Sequence, residues 1–296
     1  MSQGARTLEW TALVEEYLDR YLPRDSTPPE TISRAVRYSL FAGGKRLRPL
    51  LVLSAAEAVG GEIEDALPAA AAFEMIHTYS LIHDDLPAMD DDSLRRGRPT
   101  SHVVFGEAIA ILAGDALQSH AFALLADPPP PCRVSAERRL RAVAELANAA
   151  GASGMVGGQV YDLESEGQVV DAAQLERIHR HKTGALIRAA ARVGAIVGGG
   201  SEEQLDRLTR FAEEAGLAFQ IVDDILDVEG SAETLGKSAG KDEKAGKATY
   251  PLVHGIEEAR RKSEELVASA LDRLQFFGPA GQPLAKLAES MIRRSS

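Results

Sequence analysis

Six aspartates fall in two tight groups, Asp84, Asp85 and Asp90 in the first and Asp223, Asp224 and Asp227 in the second. Each group is followed by cations: Arg95-Arg96-Gly97-Arg98 after the first, and a lysine-rich stretch from Lys237 to Lys247 after the second. Carboxylates massed this closely repel one another unless a cation holds them. Mg²⁺ suits such clusters, because it takes hard oxygen ligands and keeps positions open for phosphate oxygens. Carboxylates for metal beside Arg and Lys for phosphate make a diphosphate site. Two such sets suggest one site built from both.

The spacing sharpens this. In His77-Thr78-Tyr79-Ser80-Leu81-Ile82-His83-Asp84-Asp85 a helix would stack His77, Ser80 or Leu81, and Asp84 on one face. Asp90 cannot share that face on an unbroken helix, and Pro87 supplies the break that lets it fold back. The alternate-residue ligand pattern and central glycine of an EF-hand are missing. In the second group Gln220, Asp223 and Asp227 share one helical face among Phe219, Ile221, Val222, Ile225 and Leu226. Like charges at i, i+4 cost an isolated helix a few tenths of a kcal/mol, which a shared cation offsets. Further upstream, Gly43-Gly44-Lys45-Arg46-Leu47-Arg48-Pro49 sets three cations between a helix end and a helix start, where Lys45 and Arg48 can cradle an anion with the new helix N-terminus. The segment 240–249 resembles a Walker A loop only superficially: the glycine spacing is wrong and Ala248 stands where Ser or Thr should be.

The elements that must position these residues are helices. The 296-residue chain is rich in Ala, Leu, Glu and Arg and only 5% aromatic, which favours helix throughout. Pattern and punctuation predict a helix over 30–42, another opened by Pro49 and closed at Gly60-Gly61, and a third opened by Pro68 and ended before Pro87. An apolar helix is predicted over 105–126, a proline loop at 128–131, helix again from Ser135, and a long helix capped by Ser201 and Gln204 that closes at Gly230. Stretch 236–247 reads as a loop. No composition break marks a linker, so 1–296 is expected to be a single domain. A net charge of −11 argues against nucleic acid. Cys132 stands alone, excluding a disulfide framework. No secretory signal and no apolar run of membrane-spanning length are evident, and a cytoplasmic location is expected.

The ordered set of GGKRLRP (43–49), DDxxxxD (84–90) with Arg95-Arg96-Gly97, Lys182-Thr183, and Phe219-Gln220 leading into DDxxD (223–227) resembles the trans-prenyl diphosphate synthases. SLIHDDLPAMDDDSLRRGRPT and ERIHRHKTGALIRAA are similar to the bacterial farnesyl diphosphate synthases, and the likeness spans nearly the whole chain. The resemblance implies an all-α bundle of about ten or more helices around a central cavity, the isoprenoid synthase type I fold, and a homodimer. It implies that three Mg²⁺ ions hold an allylic diphosphate between Asp84, Asp85 and Asp90 on one side and Asp223 and Asp227 on the other. Arg95, Lys182, Lys237 and Lys247 would bind diphosphate, and isopentenyl diphosphate would lie on Gly44, Lys45, Arg48, His77 and Arg96. Thr183, Gln220 and Lys182 would steady the allylic cation with oxygen dipoles.

Product length would depend on the pocket floor. One turn before Asp84 lies about 5.4 Å deeper. The wheel puts Ser80 there and turns Tyr79 away, yet the family uses both positions. Bulky Tyr79, small Ser80 and the inserted Pro87-Ala88 resemble the farnesyl type, with geranyl or geranylgeranyl diphosphate as alternatives. A class I terpene cyclase would leave Lys45, Arg48 and His77 without a purpose. An HD-type phosphohydrolase, suggested by His77 and His83-Asp84, would leave Asp223–Asp227 unexplained. His179, Asp162 and the Gly157-Gly158-Gln159 stretch read as structural.

Overall fold

The computed structural model describes residues 3–229 and 248–292. Among them the elements are helical apart from one small hairpin, so the fold is all-α. Contacts group the chain into two compact units, Met1–Leu50 with Leu67–Arg133, and Leu51–Ala66 with Val134–Ser296.

The first unit holds α1 (Gln3–Tyr21), α2 (Glu30–Leu40), the start of α3 (Leu47–Ala58), most of α4 (Ile63–Asp84), α5 (Ser101–Phe105) and α6 (Glu107–Ala126). On α1, Trp10, Val14 and Leu18 recur every fourth residue, continued by Leu22 past the helix end, a single buried stripe. By contrast α4 is buried all round from Leu67 to Ile76, as befits a core helix. That helix begins at Ile63, so Pro68 lies in its second turn rather than opening it. Proline removes the N–H that would reach the Glu64 carbonyl, and Glu64 is an exposed residue whose carbonyl water can serve. Similarly, α3 starts before Pro49: Leu50 N–H donates to the Arg46 carbonyl (3.0 Å). Pro49 therefore occupies the first turn, where a missing N–H costs nothing, and Arg48 belongs to the helix rather than to a loop.

Between α4 and α5 the segment expected to be merely basic forms a hairpin, β1 (Leu94–Arg95) with β2 (Arg98–Pro99), paired Leu94 to Pro99 and Arg95 to Arg98. Its two-residue turn, Arg96-Gly97, has φ of 55° and 73°. Positive φ at both positions is what a type I′ turn demands. The helix expected over 105–126 is split at Gly106, leaving α6 as a separate element. Contrary to expectation, α6 is long and apolar enough to cross a membrane, by length and composition only. Its buried side, Ala110, Ala113, Gly114, Leu117, Ala121, Leu124 and Leu125, packs within its own unit.

The second unit contains α7 (Ala136–Ala150), α8 (Met155–Ser165), α9 (Ala172–His179), a π turn (Arg180–Gly184), α10 (Ala185–Gly198) and α11 (Glu202–Glu229). After the undescribed segment come α12 (Tyr250–His254), α13 (Ile256–Leu274), a 3₁₀ stretch (Gln275–Gly281) and α14 (Gln282–Ile292). The α11 cap is the one expected: Gln204 N–H donates to Ser201 Oγ (3.2 Å) and Ser201 N–H to Gln204 Oε1 (2.8 Å). Asp171 and Gln174 cap α9 in the same reciprocal way. Leu217, Ile221 and Ile225 of α11 form a core with Leu175, Tyr250 and Ala259. The closing residue Gly230 and the loop 236–247 lie outside the described residues.

Candidate active site

The end of α4 does what Pro87 requires of it. After Asp85 N–H bonds the Leu81 carbonyl (3.1 Å), the chain reverses, with Met89 and Asp91 N–H donating to the Leu86 carbonyl. Asp90 N–H then reaches back to the Asp84 carbonyl (2.9 Å), and Asp92 N–H to that of Asp85 (3.1 Å). Asp84 and Asp90 are thereby joined through backbone and both are half-buried. Asp85 is placed differently. It is 4% exposed and takes Arg95 Nε at 2.7 Å and Nη2 at 2.5 Å, the guanidinium also lying 3.7 Å from Asp92. Asp85 and Arg95, expected on metal and diphosphate in turn, engage each other here, since a buried carboxylate left without a partner is strongly destabilising.

A second feature of this unit is cationic. Gly44 has φ +125°, a conformation that favours glycine, and a Cβ there would lie 2.5 Å from the Arg96 guanidinium, which would have to shift. Arg96 Nη1 also donates to the Gly43 carbonyl. Lys45 is exposed. Arg46, not singled out from the sequence, is 2% exposed. It bonds Glu15 (2.6 Å), Glu74 (2.6 Å) and the Leu40 carbonyl (2.8 Å). Arg48 has an enclosed Nε with no hydrogen-bond partner, and burial pushes its guanidinium down to about 10. His77 is held well below the usual imidazole range, first by burial and then by Arg48, Arg96, Arg95 and Arg46. Arg46 and Arg95 are paired with Glu15, Glu74 and Asp85, so the positive charge offered to an anion beside the imidazole comes chiefly from Arg48 and Arg96. Gly44, Lys45, Arg48, His77 and Arg96 all lie in the first unit.

Of the proposed length determinants, Ser80 is half-buried and donates to the His77 carbonyl (2.9 Å). Tyr79 is 5% exposed and meets the His83 ring edge-on at 5.5 Å. Burial raises its phenol, and Gln118 of α6 lies beside it. His83 in turn lies 3.0 Å from the Ile111 carbonyl, a structural contact rather than a ligand's pose.

In the second unit Gln220, Asp223 and Asp227 are half-buried on α11, while Phe219, Ile221, Val222 and Ile225 are buried. Asp224 accepts the Tyr250 N–H (2.7 Å) and lies 3.3 Å from His179 Nε2. His179, read from sequence as bland, is 7% exposed, and burial pushes it down to about 4. Lys182 and Thr183 lie in the π turn, a feature frequent at functional sites. Lys182 Nζ is 2.6 Å from Asp162 of α8. Gly158 explains how α8 comes so near: a Cβ there would sit 2.1 Å from the Lys182 backbone nitrogen. Lys237 and Lys247 lie outside the described residues. Among the described residues no three His, Cys, Asp or Glu side chains make a ready-made metal cage. The hard carboxylates of Asp84 and Asp90, and of Asp223 and Asp227, fit Mg²⁺, which is bound through one or two carboxylates, waters and substrate phosphates.

Helical architecture, paired acidic motifs and a separate arginine cluster define a prenyltransferase that handles diphosphates. The chain belongs to the polyprenyl synthetase family, whose model matches residues 29–275. It is 53% identical over 288 residues to the "Heterodimeric geranylgeranyl pyrophosphate synthase large subunit 1, chloroplastic" of Arabidopsis thaliana, covering 96% of this chain and 77% of that one. It is 48% identical to the farnesyl diphosphate synthase of Geobacillus stearothermophilus, covering 95% and 94%. The crystal structure of an FPP/GFPP synthase from Zymomonas mobilis matches with a TM-score of 0.89 at 38% identity, over 98% of this chain and 99% of that one. The fold is accordingly the isoprenoid synthase type I fold of these prenyl synthases.

Proposed function

We propose that this protein condenses isopentenyl diphosphate head-to-tail with dimethylallyl and then geranyl diphosphate, releasing farnesyl diphosphate. The observation that carries the reading is the cluster in which Arg96 lies against Gly43 and Gly44 and Arg48 is enclosed nearby, with both guanidinium groups acting on His77. A diphosphate site distinct from the aspartates gives the enzyme two diphosphates to hold, hence two substrates. Lys45, Arg48, Arg96 and His77 would bind isopentenyl diphosphate, with Gly44 leaving room. Asp84, Asp90, Asp223 and Asp227, with Asp85 behind the first pair, would hold three Mg²⁺, whose charge would stabilise the diphosphate as it departs. Lys182, Lys237, Lys247 and Arg95 would bind that same diphosphate. As its C–O bond breaks, the Thr183 hydroxyl, the Gln220 amide and the Lys182 carbonyl face the allylic cation with fixed oxygen dipoles. The isopentenyl double bond attacks that cation, and the proton then lost goes to released diphosphate. No protein nucleophile takes part.

A farnesyl product is favoured by buried Tyr79 beside small Ser80. Geranylgeranyl diphosphate is the second reading, since a relative of that name is 53% identical. The same reading takes residues 1–296 as one cytoplasmic prenyl synthase domain that works as a homodimer. Light scattering at about twice the 31.6 kDa chain mass would support the dimer. The deciding assay incubates the protein with Mg²⁺, dimethylallyl diphosphate and labelled isopentenyl diphosphate, then resolves the dephosphorylated alcohols by length. Label in a C15 alcohol is expected. A C20 product would select the second reading, and no labelled prenyl alcohol would sink both.

A further inference from the structure

Arg46 stands between Lys45 and Arg48 but does not share their duty. Its side chain is buried, and its backbone lies at φ +48°, one of three non-glycine residues with positive φ among those described. It is the residue from which α3 starts, its carbonyl receiving the Leu50 N–H. One guanidinium joins Glu15 of α1, the carbonyl of Leu40 at the end of α2, and Glu74 in the middle of α4. Glu74 is 2% exposed, one oxygen on Arg46 and the other enclosed with no hydrogen-bond partner. Its charge also acts on Arg48 and Arg96.

We infer that Glu74, acting through Arg46, is the positioning residue for the diphosphate pocket of Lys45, Arg48, Arg96 and His77. The inference rests on the assignment of that pocket to isopentenyl diphosphate. A buried carboxylate beneath an anion pocket lowers the pocket's potential, so by charge alone it opposes substrate. What it provides is geometry. It holds Arg46 in a backbone conformation that non-glycine residues seldom adopt, and that conformation aims the flanking Lys45 and the first turn of α3. Glu74 is also three residues before His77 on α4, hence on the same side of the helix. The two ideas predict opposite signs. A mere charge sink predicts that removing the carboxylate tightens isopentenyl diphosphate, whereas a positioning role predicts that it loosens.

The test is steady-state kinetics of Glu74→Gln with each substrate varied in turn. We expect KM for isopentenyl diphosphate to rise roughly tenfold or more, with kcat and the allylic KM within threefold of the parent. A fall or no change in that KM would overturn the proposal, as would equal rises in both. The paired variant Arg46→Met with Glu74→Leu keeps the net charge and fills the space with apolar side chains, an exchange that buried ion pairs often tolerate. It should melt near the parent temperature yet show the same selective rise. If it binds isopentenyl diphosphate as the parent does, the ion pair only holds the fold together and the proposal fails. A parent enzyme that makes no prenyl product would instead defeat the underlying assignment, leaving the two failures distinct.

Discussion

Replacing Gly158 by alanine tests whether the Lys182-Thr183 turn needs its exact seat. The added Cβ would lie 2.1 Å from the Lys182 nitrogen, 2.5 Å from its Cα and 2.6 Å from the His181 carbonyl carbon. Ordinary contact begins at 3.4 Å, so the two segments must separate by about 3.4 − 2.1 = 1.3 Å. No rotamer relieves this, because every atom met is backbone. Overpacking of this kind costs about 1–3 kcal/mol, or roughly 2–12 °C in melting temperature for a chain of this size. The functional cost is larger, since a misplacement of about 1 Å at a reacting centre loses on the order of 10²-fold in rate. The shift would also stretch the 2.6 Å Lys182–Asp162 pair. We therefore expect Gly158→Ala to lower kcat about a hundredfold while KM for isopentenyl diphosphate, bound by other residues, stays within threefold. Stopped-time product assays and thermal melts read both. A kcat within threefold of the parent and an unchanged melt would refute the close-approach argument.

Asp84→Ala and Asp223→Ala should each cut turnover at least a hundredfold at saturating Mg²⁺, and near-parent rates in the same radiolabel assay would refute the metal assignment. Ser80→Phe should shorten the product to geranyl diphosphate, and an unchanged chromatogram would show that this face of α4 does not floor the pocket. His179 falls to about 4 from an ordinary 6.5, so the unfolded chain binds the extra proton between those values. Stability from this residue is complete above pH 6.5 and is lost as pH falls to 4, by about 3 kcal/mol at 1.36 kcal/mol per unit. Urea unfolding of His179→Gln across pH 7 to 4 should show a curve flatter by that amount, and parallel curves would contradict it.

What was legible in the sequence was local. Pro87 implied the reversal that brings Asp90 to Asp84, and Ser201 with Gln204 implied the α11 cap, because both are encoded within a few residues. Pro49 and Pro68 misled by being read as first residues, when a first or second turn of helix tolerates either. The hairpin was hidden because its type I′ turn begins with arginine rather than Asn or Asp. Longer-range partners carried no signal at all. Arg46 and Glu74 are 28 residues apart, and nothing in GGKRLRP distinguishes the cation that turns inward from the two proposed for diphosphate. Asp162 and His179 looked bland for the same reason: each owes its significance to a partner that only the fold brings near.

The two acidic motifs share a division of labour that their spelling conceals. Adjacent aspartates read as twins, yet on a helix neighbours diverge by about 100°, so both cannot face one ligand. In the first unit Asp85 turns inward to Arg95. In the second Asp224 takes the Tyr250 N–H and His179. Each second carboxylate thus meets donors of its own unit, and those bonds offset part of the repulsion that first suggested a metal. In the proposed reaction Asp84 and Asp90, and likewise Asp223 and Asp227, are the carboxylates that would take the cation bound with substrate. If those carboxylates hold Mg²⁺ as proposed, its affinity should rise sharply only when a diphosphate contributes further oxygens, and titration calorimetry with and without inorganic diphosphate would refute this if Mg²⁺ bound equally tightly in both.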